Sequence, residues 1–251
     1  MQGVVAITSG KGGVGKSTLA AAAGLFLAKA GKRACLIDMD MGLRSLDIML
    51  GMEDRVVFDL ADVAEGMCRV KQALVKHQDY PGLCLISAAQ TRGSEAVGAM
   101  QARRVVQQLA DRFDWVIVDC PAGVGRGFRA ALSVAQQAVV VSTPGPVELR
   151  DAERVAALIR HMDLPDPMLV LNRVRPQHMD QEEWGLPAYL KRLEGSRLTG
   201  LIPEALGPLA QDRRVAAALE LAVRNMTGED IPPLPVARPS LLARLSQALR
   251  A

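Results

Sequence analysis

The sequence predicts an α/β fold, a doubly wound, mostly parallel sheet flanked by helices, and three observations carry that reading. Apolar strand-like runs alternate with helix-period segments along most of the 251 residues. The runs are continuous rather than alternating, as strands buried on both faces require. A glycine-rich octet, Gly10-Lys11-Gly12-Gly13-Val14-Gly15-Lys16-Ser17, falls between the first run and the first helical stretch. That is where such a sheet places an anion-binding turn.

The elements follow in order. Residues 4–8 are a short buried-strand run, and 18–30 an alanine-rich helical stretch. Further strand-like runs fall at 34–37, 83–87, 115–118, 138–142, 168–171 and 198–202. Between and after them, helical patterns occupy 101–111, 126–134, 149–161, 187–193 and 214–223. The segment 231–239 carries four prolines and is expected to run extended, as a linker between a body of residues 1–230 and a tail of residues 240–251. In that tail Leu241, Leu242, Leu245, Ala248 and Leu249 share one helical face, with Arg244, Gln247 and Arg250 opposite and Ser240 as N-cap. A basic amphipathic helix on a tether fits a membrane surface; the same leucines could also dock on the body.

Composition narrows the function. With 49% hydrophobic and 23% charged residues the chain is an ordinary globular one, long enough for one sizeable core. The net charge of +3 sets up no strong field for nucleic acid, so a nucleic-acid partner is not expected. There is no charged segment leading into an apolar one near Met1 and no apolar stretch long enough to span a bilayer, so a cytoplasmic location is expected. Cys35, Cys68, Cys84 and Cys120 form no Cys-x-x-Cys pair and read as reduced thiols rather than disulfide or metal ligands.

The octet satisfies the phosphate-loop pattern of Gly, four residues, then Gly-Lys-Ser/Thr. Its glycines, Gly10, Gly12, Gly13 and Gly15, let backbone N–H groups turn inward toward phosphate oxygens around Val14. Lys16 is placed to reach the β- and γ-phosphates, Ser17 to join the shell of Mg²⁺, and Thr18 follows at the start of the helix. Asp38 and Asp40 follow the second strand run, and Asp119 the fourth. In an open α/β sheet all three converge beyond the carboxyl ends of the strands, where one acid can hold metal-bound water and another can orient an attacking water. Lys11, inside the loop, need not fold back on its own nucleotide and could reach phosphate held by a second subunit. Asn172, at the end of the sixth run, offers an amide donor and acceptor suited to a base edge, or to a strand-end turn.

The octet, with its extra Lys11, resembles the deviant phosphate loop of the ParA/MinD family of ATPases, whose extra lysine reaches across a nucleotide-sandwich dimer. Residues 37–47, Ile-Asp-Met-Asp-Met-Gly-Leu-Arg-Ser-Leu-Asp, are similar to the first switch of the MinD branch, and Asp119-Cys120-Pro121-Ala122-Gly123 to its second. Met49-Leu50-Gly51-Met52-Glu53, Gln72-Ala73-Leu74-Val75-Lys76 and Ala88-Ala89-Gln90-Thr91 favour that branch over the ParA and flagellar-placement relatives. The likeness runs from residue 4 to about 160, and more loosely to about 230.

The resemblance implies ATP and Mg²⁺ as cofactors. It gives Asp40 the hydrolytic water, Asp38 a supporting role in the water and metal network, Asp119 a link to the metal, and the Gly123 N–H a contact with the γ-phosphate. Asn172 and Pro203 would border adenine. It further implies an ATP-bound homodimer held on an anionic membrane by residues 240–251, peripheral to the inner face of the cell membrane. The output would be septum placement through a MinC-type inhibitor, with a MinE-type or other topological factor left open. A ParA-like DNA-partitioning ATPase or a flagellar-placement relative is the alternative. One departure stands out: the branch generally carries an acid where this chain has Gly145, and Glu148 is the nearby residue that could replace it.

Overall fold

The computed structural model describes residues 3–42, 44–93, 96–205 and 211–236. In chain order it contains β1 (Gly3–Thr8), α1 (Lys16–Lys29), β2 (Ala34–Asp38), α2 (Leu46–Met49), α3 (Leu60–Ala64), α4 (Val70–Ala73), β3 (Val75–Lys76), β4 (Leu83–Ile86), α5 (Ala99–Leu109), β5 (Trp115–Asp119), α6 (Arg126–Leu132), β6 (Gln137–Ser142), α7 (Pro146–Arg160), β7 (Met168–Val174), α8 (Leu186–Arg192), β8 (Arg197–Pro203) and α9 (Arg213–Met226). The strands form one sheet in the order β3-β4-β2-β5-β1-β6-β7-β8. Every neighbouring pair is parallel except the short edge strand β3, which runs antiparallel to β4.

Side chains alternate across each strand, so the continuous apolar runs feed two cores at once. Val4 and Ala6 of β1, Cys35 and Ile37 of β2, and Val116 and Val118 of β5 face one layer, where they meet α5, α6, α7 and α8 through Val105, Phe128, Leu149 and Tyr189. Val5 and Ile7, Ala34 and Leu36, and Trp115 and Ile117 face the other, where they meet α1 and α9 through Leu19, Ala23, Val215 and Val223. Nearly all of these residues are fully buried, which is why the sequence shows no period-two pattern in the strands.

All seven expected strands and the six helices expected within residues 1–230 are present, and the differences lie at boundaries and in short elements. α1 begins at Lys16 rather than residue 18, because Gly15 at φ 102° turns the chain directly into the helix. α7 begins at Pro146 rather than residue 149, since proline's fixed φ suits the first helical position. The two-residue β3 and the four- or five-residue helices α2, α3 and α4 are too short to show a periodicity. Cys35, Cys84 and Cys120 are buried free thiols, and Cys68 is half-buried and free.

Residues 231–236 run without regular structure, as their prolines dictate. Asn225 and Ile231 exchange two hydrogen bonds, Ile231 N–H to Asn225 Oδ1 at 2.8 Å and Asn225 Nδ2 to Ile231 O at 2.7 Å, which pins the start of this segment to α9. The rest of the expected linker, 237–239, and the expected helix 240–251 lie outside the described residues. Among the described residues no helix is long and apolar enough to cross a membrane.

Candidate nucleotide-binding site

The glycine loop rises from the carboxyl end of the central strand β1 and enters α1. Gly13 and Gly15 adopt left-handed φ values of 75° and 102°. Only glycine fits at Gly15 on two counts, since an added Cβ would also lie 2.3 Å from Asn172 Nδ2. Lys16 is buried at the helix start, 4% exposed, beneath the loop. The first turn of α1 therefore points free N–H groups and its positive dipole end into the loop, which is an anion site by construction.

The end of β7 braces this loop from the side. Asn172 Nδ2 donates to the Val14 carbonyl at 2.7 Å, and the Arg173 guanidinium donates to the Gly13 carbonyl at 2.9 Å. Arg173 holds a left-handed φ of 54°, a costly conformation for a residue with a side chain. Asn172 Oδ1 accepts from the Arg173 N–H at 2.9 Å and so fixes that turn. Asn172 thus sits where the sequence expects it, at a strand end beside the loop, and its amide already serves the loop backbone.

Asp38 and Asp119 end β2 and β5 and are partners in the register of those two strands. Asp38 Oδ1 accepts from the Asp40 N–H at 2.9 Å and Oδ2 from the Leu46 N–H at 3.4 Å, which ties both segments after β2 to one buried carboxylate. Burial pushes the Asp38 carboxyl up to about 6, with the two backbone N–H groups pulling the other way. Asp119 is fully buried, and neither carboxylate oxygen has a hydrogen-bond donor in ideal geometry. Burial, and then the neighbouring Asp38, push it up to about 8 against the opposing pull of Ser17 and Lys16. Asp40 is half-buried; burial raises its carboxyl as well, and Lys16 lowers it. A buried carboxylate with two idle oxygens beside a serine and a lysine is the donor set a magnesium–phosphate centre calls for. Among the described residues no three acid, histidine or cysteine side chains form a metal cage by themselves. The cation would therefore be completed by phosphate and water, as is usual for Mg²⁺.

Two adjoining cavities flank the loop. One, of about 280 Å³, is lined by Gly12, Gly13, Gly15, Lys16, Ser17, Thr18, Asp40, Ser45, Met49, Ala122 and Arg173. The other, of about 320 Å³, is lined by Gly15, Thr18, Asn172, Arg173, Ile202, Pro203, Glu204, Ala205, Val215 and Leu219. They share Gly15, Thr18 and Arg173; Lys16, Ser17 and Asp40 line the first and Ile202, Val215 and Leu219 the second, a division that suits a phosphate tail and a base. Gly123 stands at φ 83°, and its N–H donates to the Ser9 carbonyl at 3.3 Å, so in this conformation it is engaged by the loop. Lys11 is engaged elsewhere: its ammonium meets Glu148 of α7 at 2.7 Å, with its side chain more than half exposed. Sequence reasoning missed Arg173 as a cleft residue; its position next to Asn172 was the available signal.

The chain is similar to the septum site-determining protein MinD of Synechocystis sp., at 38% identity across 99% of both chains. The chain belongs to the MinD branch of the ParA/MinD family. A ParA family model, described as NUBPL iron-transfer P-loop NTPase, matches residues 1–180. Among solved structures, the MinC:MinD cell division protein complex of Aquifex aeolicus superposes with a TM-score of 0.81 at 34% identity, covering 92% of this chain and 98% of that one. The septum site-determining protein MinD of Pyrococcus horikoshii, complexed with Mg-ADP, has the same fold at 22% identity, with a TM-score of 0.78 over 90% and 96% of the two chains. The matched family is one of P-loop NTPases.

Proposed function

We propose that the chain is an ATP-dependent dimerising membrane switch that positions the division septum through a MinC-type inhibitor. The observation that carries this reading is the contrast between two loop lysines. Lys16 is buried in the phosphate cavity, whereas the Lys11 side chain is 53% exposed. A solvent-accessible lysine on a phosphate loop is suited to phosphate held by another copy.

Within one copy, Lys16 and the loop N–H groups hold the β- and γ-phosphates, and Asn172 and Pro203 border adenine in the second cavity. Bound Mg²⁺ would neutralise developing phosphate charge, with Ser17 and Asp119 as the groups beside it and Asp38 supporting them. Asp40 lines the phosphate cavity and orients the attacking water. The Gly123 N–H exchanges the Ser9 carbonyl for the γ-phosphate, which couples the second switch to the triphosphate. Turnover is slow, because the state change is the output.

The expected tail helix, residues 240–251, holds the dimer on the inner, anionic face of the membrane, two weak helices acting together. The Aquifex aeolicus relative in a MinC:MinD complex supports a MinC-type partner for the ATP-bound form. A MinE-type factor would act on that form. Sedimentation velocity with ATP, with ADP, and with Lys11→Ala tests the reading. A dimer formed only with ATP and lost in the variant supports it; a chain that stays monomeric with ATP overturns it.

A further inference from the structure

We propose that Glu148 is a latch that holds Lys11 within its own chain, so that each copy must release this ion pair before it can engage a second one. The inference rests on the dimer reading of Lys11 and adds the contact that opposes it.

The latch is built from three features. First, the loop leans on α7: a Cβ on Gly10 would lie 2.6 Å from the Cβ of Asp151, so the residue before Lys11 is pressed against the second turn of that helix. Glu148 lies in the turn before it and meets the Lys11 ammonium at 2.7 Å. Second, Gly145 makes the room. A Cβ at Gly145 would stand 2.3 Å from Glu148 Oε2, so any side chain there would displace the carboxylate. The Gly145 φ of 166° is extended backbone open to every residue, so space and not conformation demands glycine.

Third, the platform is fixed from behind. The Tyr189 hydroxyl donates to the Thr143 carbonyl at 2.9 Å and lies 2.8 Å from Ser142 Oγ, which donates to the Glu148 carbonyl at 3.3 Å. Arg192 of α8 grips Glu153 of α7 with two bonds of 2.6 Å. Glu148 is therefore presented to Lys11 from a rigid turn, with its own side chain only 19% exposed. The hydrogen bond to Lys11 holds the Glu148 carboxyl below its usual range, and Glu148 and then Asp151 raise the Lys11 ammonium.

A loop lysine engaged in cis lowers the fraction of copies competent to bind in trans, and apparent affinity falls by that fraction. Both copies carry the latch, so its effect enters the dimer twice.

Two readouts on the full chain test it, one of which does not require a dimer. In nucleotide-free monomer, trace acylation of Lys11 followed by peptide mass spectrometry should run about two- to fivefold faster in Glu148→Gln, because the amine loses its partner. With ATP, Glu148→Gln and Gly145→Ala should each dimerise at roughly three- to tenfold lower protein concentration than the parent, by sedimentation velocity. Unchanged Lys11 reactivity in the monomer overturns the latch. So does a parent that dimerises with ATP while the variants dimerise no more readily. A parent that never dimerises overturns the dimer reading, and the acylation rate then decides whether the cis pair exists.

Discussion

Asp38 and Asp119 stand side by side at the carboxyl ends of two adjacent parallel strands, one carboxylate satisfied by backbone N–H groups and the other without a well-formed donor. That asymmetry within a buried pair separates their roles. Asp38 organises the backbone that follows β2, and Asp119 is left facing the serine and lysine of the loop. A network is expected to leave oxygens idle only where another ligand completes them.

The pair makes stability depend on pH. In nucleotide-free protein with chelator, the folded chain retains protons on Asp38 up to about 6 and on Asp119 up to about 8, where the unfolded chain has already released them at the ordinary carboxylate pKa of 3.8. The folded state therefore binds more protons, the penalty is absent below about pH 4, and stability falls as pH rises toward 8. Asp119→Asn should flatten the fall between pH 6 and 8 and melt above the parent at pH 8. Melting temperatures across pH check it, and an unchanged slope would contradict it.

Gly15→Ala should remove nucleotide binding without unfolding the chain. The position needs a left-handed φ of 102° and leaves 2.3 Å between a new Cβ and Asn172 Nδ2. Strain of about 1–3 kcal/mol together with the lost Asn172 brace predicts at least a tenfold loss of affinity for a fluorescent ATP analogue. Retained far-ultraviolet circular dichroism would show that the fold survives.

Asp40→Asn should separate binding from chemistry. The residue lines the phosphate cavity and lies under the influence of Lys16. Removing a general base costs on the order of 10²-fold or more in turnover. ATP binding should stay within a few fold, and dimers should persist longer. Phosphate release assayed beside nucleotide titration distinguishes this from a loss of binding.

Tyr189→Phe should lower stability and leave nucleotide affinity alone. The buried hydroxyl bonds Thr143 and Ser142 at the start of α7, and neither bond goes to the phosphate loop. Leaving those groups unpaired costs about 1–3 kcal/mol, enough to move the melting temperature by roughly 2–6 °C in a chain of this size. A variant as stable as the parent would mean that the hydroxyl has alternative partners.

Much of this was legible in the sequence because the physics was local. The continuous apolar runs announced strands buried on both faces, and Val5 and Ala6 indeed face opposite cores. The loop announced itself because phosphate binding fixes both glycine positions and the lysine that follows. Other features depend on residues far apart in the chain. Arg173 reaches the Gly13 carbonyl across 160 positions, and Lys11 meets Glu148 across 137. Neither partnership has a sequence period or motif. The edge strand Val75–Lys76 pairs for only two residues and has no pattern to read.

The most direct test of the switch is liposome co-sedimentation of the full chain on anionic vesicles, with ATP, with ADP, and after deletion of residues 240–251. The expected result is pelleting with ATP alone, lost on deletion of the tail, because two short helices bind together where one does not. Pelleting that ignores the nucleotide, survives the deletion or never occurs would contradict a dimer that carries the state of its bound ATP to the membrane.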